Sequence, residues 1–349
     1  MKQEKAFKSI VRCGKQTWFF PQPATLQETA VAVGPKEGQG PLGKEFDIVH
    51  EDIWLKQDSF EKAEKQLFSG VCDRLLEKAG LMPDQIDLLI AGDLLNQIVS
   101  ANFTARAMAI PYLGIFGACS TAVEGLILAS QIVASGGADR VIALTGSHNS
   151  TAEKQYRYPN EYGSQKPPYA QWTVTGAGAG LVSMASEGPY ITCTTIGQVV
   201  DMGITDPFNM GAVMAPAAAH TIAAHLKERN VPPEYYDLIV TGDLGEVGHK
   251  LTTEMLAKQG INLDPSRFTD GGLLIYDREK QDVFSGGSGC GCIAAVTYGH
   301  LFKELKRGKL NKILVAATGA LLSPVSVQQQ ETIPGISHAI ALERGIAEC

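Results

Sequence analysis

The sequence has no long hydrophobic run and no excess of basic residues. No uninterrupted apolar stretch of about 18 residues occurs in the 349 residues, and a helix that crosses a bilayer needs about that length. The first six residues also lack the apolar core of a secretion signal. Lys and Arg number 30 against 37 Asp and Glu, a net charge of −7, with no basic stripe. We therefore expect no membrane-spanning segment and no nucleic-acid binding.

Disulfide and metal chemistry have little support in the cysteine pattern. The seven cysteines are an odd number in a long chain without a secretion signal, which argues against a disulfide framework and favours a reducing compartment. Cys290 and Cys292 are separated by a single glycine, which is too short a spacing, and too isolated from other ligands, to indicate zinc. We expect no metal site.

The chain instead contains a long internal repeat. Residues 80–95 are echoed by residues 230–245 at an offset of 150, and residues 138–146 by residues 311–319 at an offset of 173. Each copy has the pattern helix, strand, helix, strand, which is typical of a parallel sheet with crossover helices. The sequence therefore predicts an α/β protein made of two halves, residues 1–188 and 189–349, with the boundary near Gly188 and Pro189.

The clearest local prediction lies just before the first copy of that repeat. Ser59 is a candidate N-cap, and apolar residues recur every fourth position through residues 60–78, so we expect a helix there that Gly80 ends. A buried strand should follow at residues 88–91. Residues 149–170 form a polar and aromatic stretch that fits either a lid or partner surface, or a solvated insertion.

One cysteine occupies a position that suits reactivity. The turn Gly117-Ala118-Cys119-Ser120 separates a strand-like run from a long apolar helix. A helix N-terminus has unpaired N–H groups and a partial positive charge, which lower the pKa of a thiol and favour the reactive thiolate. The alternative is a small buried residue at a tight strand–helix contact.

These features resemble the thiolase superfamily, which includes the thiolases and the β-ketoacyl synthase III-type condensing enzymes. The resemblance covers nearly the whole chain and implies an α-β-α-β-α layered fold with mixed, mainly parallel sheets. It also implies that Cys119 is at the nucleophile position and that the loop Gly286–Gly291 opens the matching helix of the C-terminal half. The two tandem copies, the turn Gly117-Ala118-Cys119-Ser120 and the glycine-rich loop carry it. Residues 18–21, 116–125, 147–150, 284–292 and 333–340 carry the closer resemblance to one branch, given below.

The departures from the superfamily predict that catalysis is absent. Condensing enzymes need two further groups, commonly a histidine and an asparagine or second histidine, to activate the thiol and stabilise the oxyanion. At the position of the condensing enzymes' histidine, this chain reads Val240-Thr241-Gly242-Asp243. The position of their asparagine is glycine-rich here. The remaining candidates are His148, Asn149, His249 and His300, each with an ordinary structural explanation. The late catalytic cysteine of thiolases is also missing from the turn before Ser337. We expect no catalytic residues; a condensing enzyme that uses Cys119, or a structural scaffold with a relic pocket, are the alternatives.

The closer resemblance is to the stage V sporulation AD branch, which is non-condensing. It implies binding of dipicolinic acid (pyridine-2,6-dicarboxylate), possibly as the calcium chelate, for uptake into the spore, with no cofactor. It also implies a homodimer that attaches peripherally to the spore inner membrane through the other stage V sporulation A membrane proteins. Helix N-termini and glycine-rich loops bind carboxylates, and we expect the pocket to be lined by Cys119, Ser120, Ser285, Gly287, Ser288, Gly289 and Ser337. Apolar walls are expected from Ile115, Phe116 and Ile336.

Overall fold

The computed structural model describes residues 10–156 and 166–345. Cys349 and residues 157–165 of the predicted insertion lie outside the described residues. The strands are β1 (Val11–Arg12), β2 (Thr17–Val33), β3 (Ile48–Val49), β4 (Leu88–Gly92), β5 (Tyr112–Gly114), β6 (Arg140–Ser147), β7 (Trp172–Thr173), β8 (Gly176–Ser183), β9 (Tyr190–Thr195), β10 (Leu238–Thr241), β11 (Phe268–Asp270), β12 (Gly287–Ser288), β13 (Lys312–Ala320) and β14 (Gly335–Glu343). The helices are α1 (Pro35–Gly38), α2 (Phe60–Ala79), α3 (Val99–Met108), α4 (Thr121–Ala134), α5 (Asn149–Tyr156), α6 (Met210–Arg229), α7 (Gly245–Lys258), α8 (Gly271–Leu274), α9 (Cys290–Ala294), α10 (Phe302–Arg307) and α11 (Pro324–Gln328). A π-helical turn, Ala295–Leu301, joins α9 to α10.

The strand order repeats the internal duplication of the sequence. The main sheet runs β11-β10-β13-β14-β9-β2-β8-β6-β4-β5, so the order outward from β9 matches the order outward from β2. In each arm the three outer strands are parallel and the inner pairings are antiparallel. The mixed α/β fold is as expected from the sequence. The division of the chain into residues 1–188 and 189–349 stays a prediction.

The helices form three layers, with the two arms of the sheet between them. α2 and α3 pack on one arm over a core that includes Leu67 and Phe68, and α6 and α7 pack on the other arm. Between the arms, α4 contacts strands of both arms as well as α9. The largest core surrounds these central helices. This packing brings the N-termini of α4 and α9 together between the two arms.

The helix predicted after Ser59 is confirmed. The Ser59 side chain accepts a hydrogen bond from the Lys62 backbone N–H at 3.3 Å, and Gly80 ends α2 in the left-handed conformation. Asn230 ends α6 in the same way at the corresponding position of the second copy. The polar and aromatic stretch from residue 149, interpreted as a lid or partner surface or as a solvated insertion, begins with a helix. Residues Asn149–Tyr156 form α5, whose first turn buries Thr151 and Ala152.

Two Gly→Ala substitutions should change the stability in opposite directions. A Cβ at Gly178 would lie 2.6 Å from Tyr298 Cδ2 and 3.1 Å from Ala294 Cβ, whereas a Cβ at Gly70, inside α2, would meet nothing within 4 Å. We expect Gly178→Ala to destabilise the protein by about 1–3 kcal/mol through overpacking. Gly70→Ala should stabilise it by about 0.5–1 kcal/mol, because alanine favours the helix. Urea unfolding of both variants measures this, and an equal response at the two sites would contradict the packing described for β8.

Candidate functional site

The predicted nucleophile turn is held by its own side chains. Ala118 has φ +50°, a conformation that turns the chain sharply between β5 and α4. The Ser120 hydroxyl donates to Gly117 O at 2.6 Å, and the Thr121 hydroxyl donates to Ala118 O at 2.6 Å. Cys119 therefore lies just before α4, which begins at Thr121, and its side chain is 6% exposed.

The second predicted turn lies against the first. Gly289 has φ +96°, and α9 begins at Cys290. A Cβ at Gly289 would lie 2.7 Å from Ser147 Oγ, so this close approach requires glycine. Cys290 and Cys119 pack in one small cluster with Leu94 and Tyr156. The structure thus brings together the two turns that the sequence analysis placed in one site.

A buried carboxylate, Asp243, lies between the two turns. It accepts hydrogen bonds from Thr318 Oγ1 at 3.0 Å, Ser288 Oγ at 3.2 Å and the Gly289 N–H at 3.1 Å. The Cys119 thiol also donates to it. Burial raises the pKa of Asp243 to about 6, and these donors oppose that rise. Asp243 is therefore mostly ionised at neutral pH, and it already occupies donors that the sequence analysis assigned to a bound anion.

Of the two interpretations of Cys119, a thiolate favoured by the helix N-terminus and a small buried residue, the structure favours the second. Burial and, next, the Asp243 charge raise the pKa of Cys119 well above its usual value. The local helix N-terminus acts in the opposite direction, but desolvation and a neighbouring negative charge both disfavour the charged form. The thiol stays protonated at neutral pH.

A narrow cavity opens above Cys119. It measures about 40 Å³, which is room for a few water molecules at about 10–15 Å³ each. Its polar lining comes from Cys119, Thr173, Ser288 and Gly289. Its apolar lining includes Leu94, Ala152, Tyr156, Met210, Ala320 and Leu322. None of the described residues that line it is Lys or Arg.

Three of the seven predicted site residues line this cavity, namely Cys119, Ser288 and Gly289. The other four are buried but do not line it, and among the described residues the Ser337 hydroxyl finds no hydrogen-bond partner. The Ser120 hydroxyl closes its own turn, and the Ser285 hydroxyl accepts from the Val247 N–H at 3.4 Å. Gly287 pairs with Trp172 in the β7–β12 ladder, and Ser337 pairs with Thr318 across β13 and β14.

The three residues predicted as apolar walls do not line the cavity. Ile115 packs against the central core instead, and Phe116 points outward with 47% of its surface exposed. Ile336 is 7% exposed on β14. The walls come instead from α5, α6 and the segments that follow β4 and β13.

None of the candidate bases lines the cavity, and all seven histidines are among the described residues. His148 Nε2 contacts Ile53 O at 2.7 Å, while its Nδ1 accepts from the Ser150 N–H at 3.1 Å. His249 stacks on Phe268 with 4.4 Å between ring centroids. Asn149 donates to Thr173 O at 3.1 Å. His300 lies beside Glu45 and Glu304 on the helix beyond α9.

Sequence reasoning missed Asp243 and its partner Thr318. The signal was present, because Asp93 and Asp243 end equivalent strands in the two copies of the repeat. The end of this strand in the second copy was compared only with the position of the condensing enzymes' histidine, and the Asp243 carboxylate was assigned no role. The cavity walls Tyr156 and Met210 had no comparable signal.

The possible metal ligands Glu45, His300 and Glu304 lie together at a partly exposed site, away from the cavity. Arg307 lies 3.0 Å from a carboxylate oxygen of each glutamate, and Lys309 is 3.2 Å from Glu304. The two carboxylates therefore already have cationic partners.

None of the helices in residues 10–156 and 166–345 combines the length and the apolar character that a bilayer span requires.

Comparisons with solved structures identify the fold. The 3-oxoacyl-[acyl-carrier-protein] synthase III of Aquifex aeolicus VF5 superposes with a TM-score of 0.56 at 16% identity, covering 92% of this chain and 99% of that one. Human mitochondrial 3-ketoacyl-CoA thiolase gives a TM-score of 0.56 at 12% identity, covering 93% and 99%. At such low identity these matches show the thiolase-like fold alone.

Sequence comparisons identify the family. The chain is 51% identical over 331 residues to stage V sporulation protein AD of Bacillus subtilis (strain 168), covering 95% of this chain and 97% of that protein. A family model described as Stage V sporulation protein AD (SpoVAD) matches residues 14–343. The chain, a sporulation protein with a thiolase-like fold, therefore belongs to the stage V sporulation protein AD family.

Proposed function

We propose that this chain binds dipicolinic acid, without catalysing a reaction, as a component of the sporulation-specific dipicolinate uptake system. Family membership supports a role in sporulation, and the resemblance to that branch supplies the ligand. The observation that carries the non-catalytic part is the Asp243 carboxylate, which takes hydrogen bonds from Cys119, Ser288 and Gly289.

A condensing reaction at Cys119 would need a base and donors for an oxyanion. Asp243 meets neither need. Its pKa of about 6 lies far below that of the thiol, so it is a weak acceptor for the thiol proton. It also holds the Gly289 N–H, a donor that an oxyanion would require. The same arrangement disfavours acyl transfer and supports a binding role for this thiolase-like fold.

The cavity suits a flat aromatic ligand only after its walls move. Ligand sites usually measure about 300–1,000 Å³, against about 40 Å³ here. Entry of a pyridine ring therefore requires displacement of side chains such as Tyr156, Met210 and Leu322. The lining lacks cationic side chains and Asp243 is negative, so these walls favour the calcium chelate, which carries no net charge, over the free dianion.

The proposal includes a homodimer and peripheral attachment to the spore inner membrane. β5 is the edge of the sheet and, in the described part of the chain, pairs with β4 alone. Leu113 and Phe116 on and beside this edge are 46% and 47% exposed. An unpaired edge flanked by apolar side chains favours pairing with a second copy. The other stage V sporulation A membrane proteins would supply the attachment.

Calorimetry with dipicolinate tests the ligand and the site together. We expect saturable binding of calcium dipicolinate, and at least tenfold weaker binding by Ala152→Phe, because the added ring fills the cavity. Met202→Phe introduces the same ring at a side chain that is 63% exposed and outside the cavity, and should bind as wild type. Benzene-1,3-dicarboxylate, which lacks the ring nitrogen, should bind more weakly. If wild type does not bind calcium dipicolinate, the proposed function is wrong. If Ala152→Phe binds it as tightly as wild type, the binding site lies elsewhere.

Iodoacetamide labelling of Cys119 tests the non-catalytic assignment. Because its pKa is raised by burial and by Asp243, we expect Cys119 to react more slowly at pH 8 than glutathione in the same tube, as followed by peptide mass spectrometry. Asp243→Asn removes the negative neighbour and should accelerate labelling severalfold. Asp93→Asn, the equivalent position of the first copy, should not. Labelling faster than glutathione, or an acetyl adduct on Cys119 after incubation with acetyl-CoA, would favour the condensing enzyme.

Light scattering after gel filtration tests the dimer. We expect a dimeric mass for the wild type and a monomeric mass for Leu113→Lys combined with Phe116→Lys, since two cations would be buried at the shared edge. Met82→Lys places a cation at a side chain that is 65% exposed and lies outside β5, and should stay dimeric. A double variant that remains dimeric would place the interface elsewhere.

A further inference from the structure

A second group of buried polar side chains lies outside the cavity, between β4 and the helices of the first arm. Glu64 comes from α2, Asp93 follows β4, Ser100 lies in α3 and Thr151 in α5. Their exposure is 1%, 0%, 0% and 2%. Four separate elements thus contribute oxygen atoms to one buried location.

The hydrogen bonds of this group are incomplete. Asp93 accepts the Leu95 N–H and the Ala101 N–H, each at 2.8 Å, and the Thr151 hydroxyl donates to Glu64 Oε2. Glu64 Oε1 and Ser100 Oγ have no hydrogen-bond partner, although Ser100 lies close enough to Glu64 to lower the pKa of its carboxyl. Thr104 Oγ1, one turn farther along α3, is also unpartnered. Buried polar groups are rarely left unpaired in folded proteins.

The two carboxyl groups also interact unfavourably with each other. Burial and then the Asp93 charge raise the pKa of Glu64, and burial raises the pKa of Asp93 to about 6. Among the ion pairs of the described residues, none involves either carboxylate. An uncompensated pair of buried carboxyl groups is unfavourable unless a proton or a cation neutralises it.

The internal repeat shows that packing at this helix position does not require the carboxyl group of Glu64. At the offset of 150 residues, Glu64 of α2 corresponds to Met214 of α6, which is completely buried. Asp93 corresponds to Asp243. The same fold position therefore accepts an apolar side chain in one half, whereas the other half has a carboxylate facing a second carboxylate.

We propose that Glu64, Asp93 and the neighbouring hydroxyls of Ser100, Thr104 and Thr151 form a binding site for a divalent cation of the calcium class. All these donors are oxygen atoms, which hard cations prefer. A divalent ion would neutralise the charge of the two carboxylates and would be coordinated by the oxygens that now lack a hydrogen-bond partner. This site does not depend on dipicolinate, and its test is carried out without it.

Calcium titration of the full chain, after removal of metals with EDTA, tests this site. We expect one saturable equivalent by calorimetry, a higher unfolding temperature with calcium, and luminescence from terbium substituted for calcium. Glu64→Gln should weaken binding at least tenfold and abolish the calcium-dependent shift of the unfolding temperature. Glu64→Met, which introduces the residue of the second copy, should fold and lose the calcium response as well.

Glu304→Gln serves as the matched control, because Glu304 belongs to the partly exposed Glu45, His300 and Glu304 group. It should retain the calcium response in full. If wild type binds no calcium, the carboxyl pair is neutralised by a proton and the proposal is wrong. Equal calcium binding by wild type and Glu64→Gln, with loss in Glu304→Gln, would assign the ion to the exposed group instead.

Discussion

The Asp243 carboxylate is the interaction on which the chemistry of the site depends. It lies where two helix N-termini meet, and it takes hydrogen bonds from side chains and backbone of three separate segments. Because it is buried, its charge acts through a medium of low polarity, where its effect on Cys119 is strong. One side chain thereby fills the anion-binding position from within and keeps the thiol protonated. The thiolase-like scaffold is retained, with a negative charge beside Cys119.

The duplication shows how an aspartate at equivalent positions of the two copies takes two roles. Asp93 and Asp243 end equivalent strands, but Asp93 accepts backbone N–H groups at the start of α3. Asp243 has positive φ and accepts hydrogen bonds from hydroxyl and thiol groups of neighbouring elements as well as from one backbone N–H. The backbone position is set by the repeat, whereas the partners are set by the loops that follow each strand. Functional divergence between the halves therefore required changes in the loops and left the sheet intact.

Local and periodic features of this chain could be predicted from its sequence, and tertiary ones could not. The helix after Ser59, its end at Gly80 and the meeting of the turns at Cys119 and Gly289 follow from spacing and from the repeat. The interpretation of Cys119 as a thiolate considered only the adjacent helix, whereas burial and a carboxylate 124 residues away raise the pKa of the thiol. Ser285 was assigned to the pocket because it neighbours the glycine-rich loop, but its hydroxyl faces the start of α7. Proximity along a loop does not determine the direction of a side chain.

The small volume of the cavity has a consequence for affinity. If the binding-competent state is a widened one, the apparent dissociation constant exceeds the intrinsic one by the inverse of its population. Part of the binding energy then moves the walls, which belong to α5, to the start of α6 and to the segment after β13. These walls come from both arms of the sheet, so opening the cavity changes the contact between the two halves.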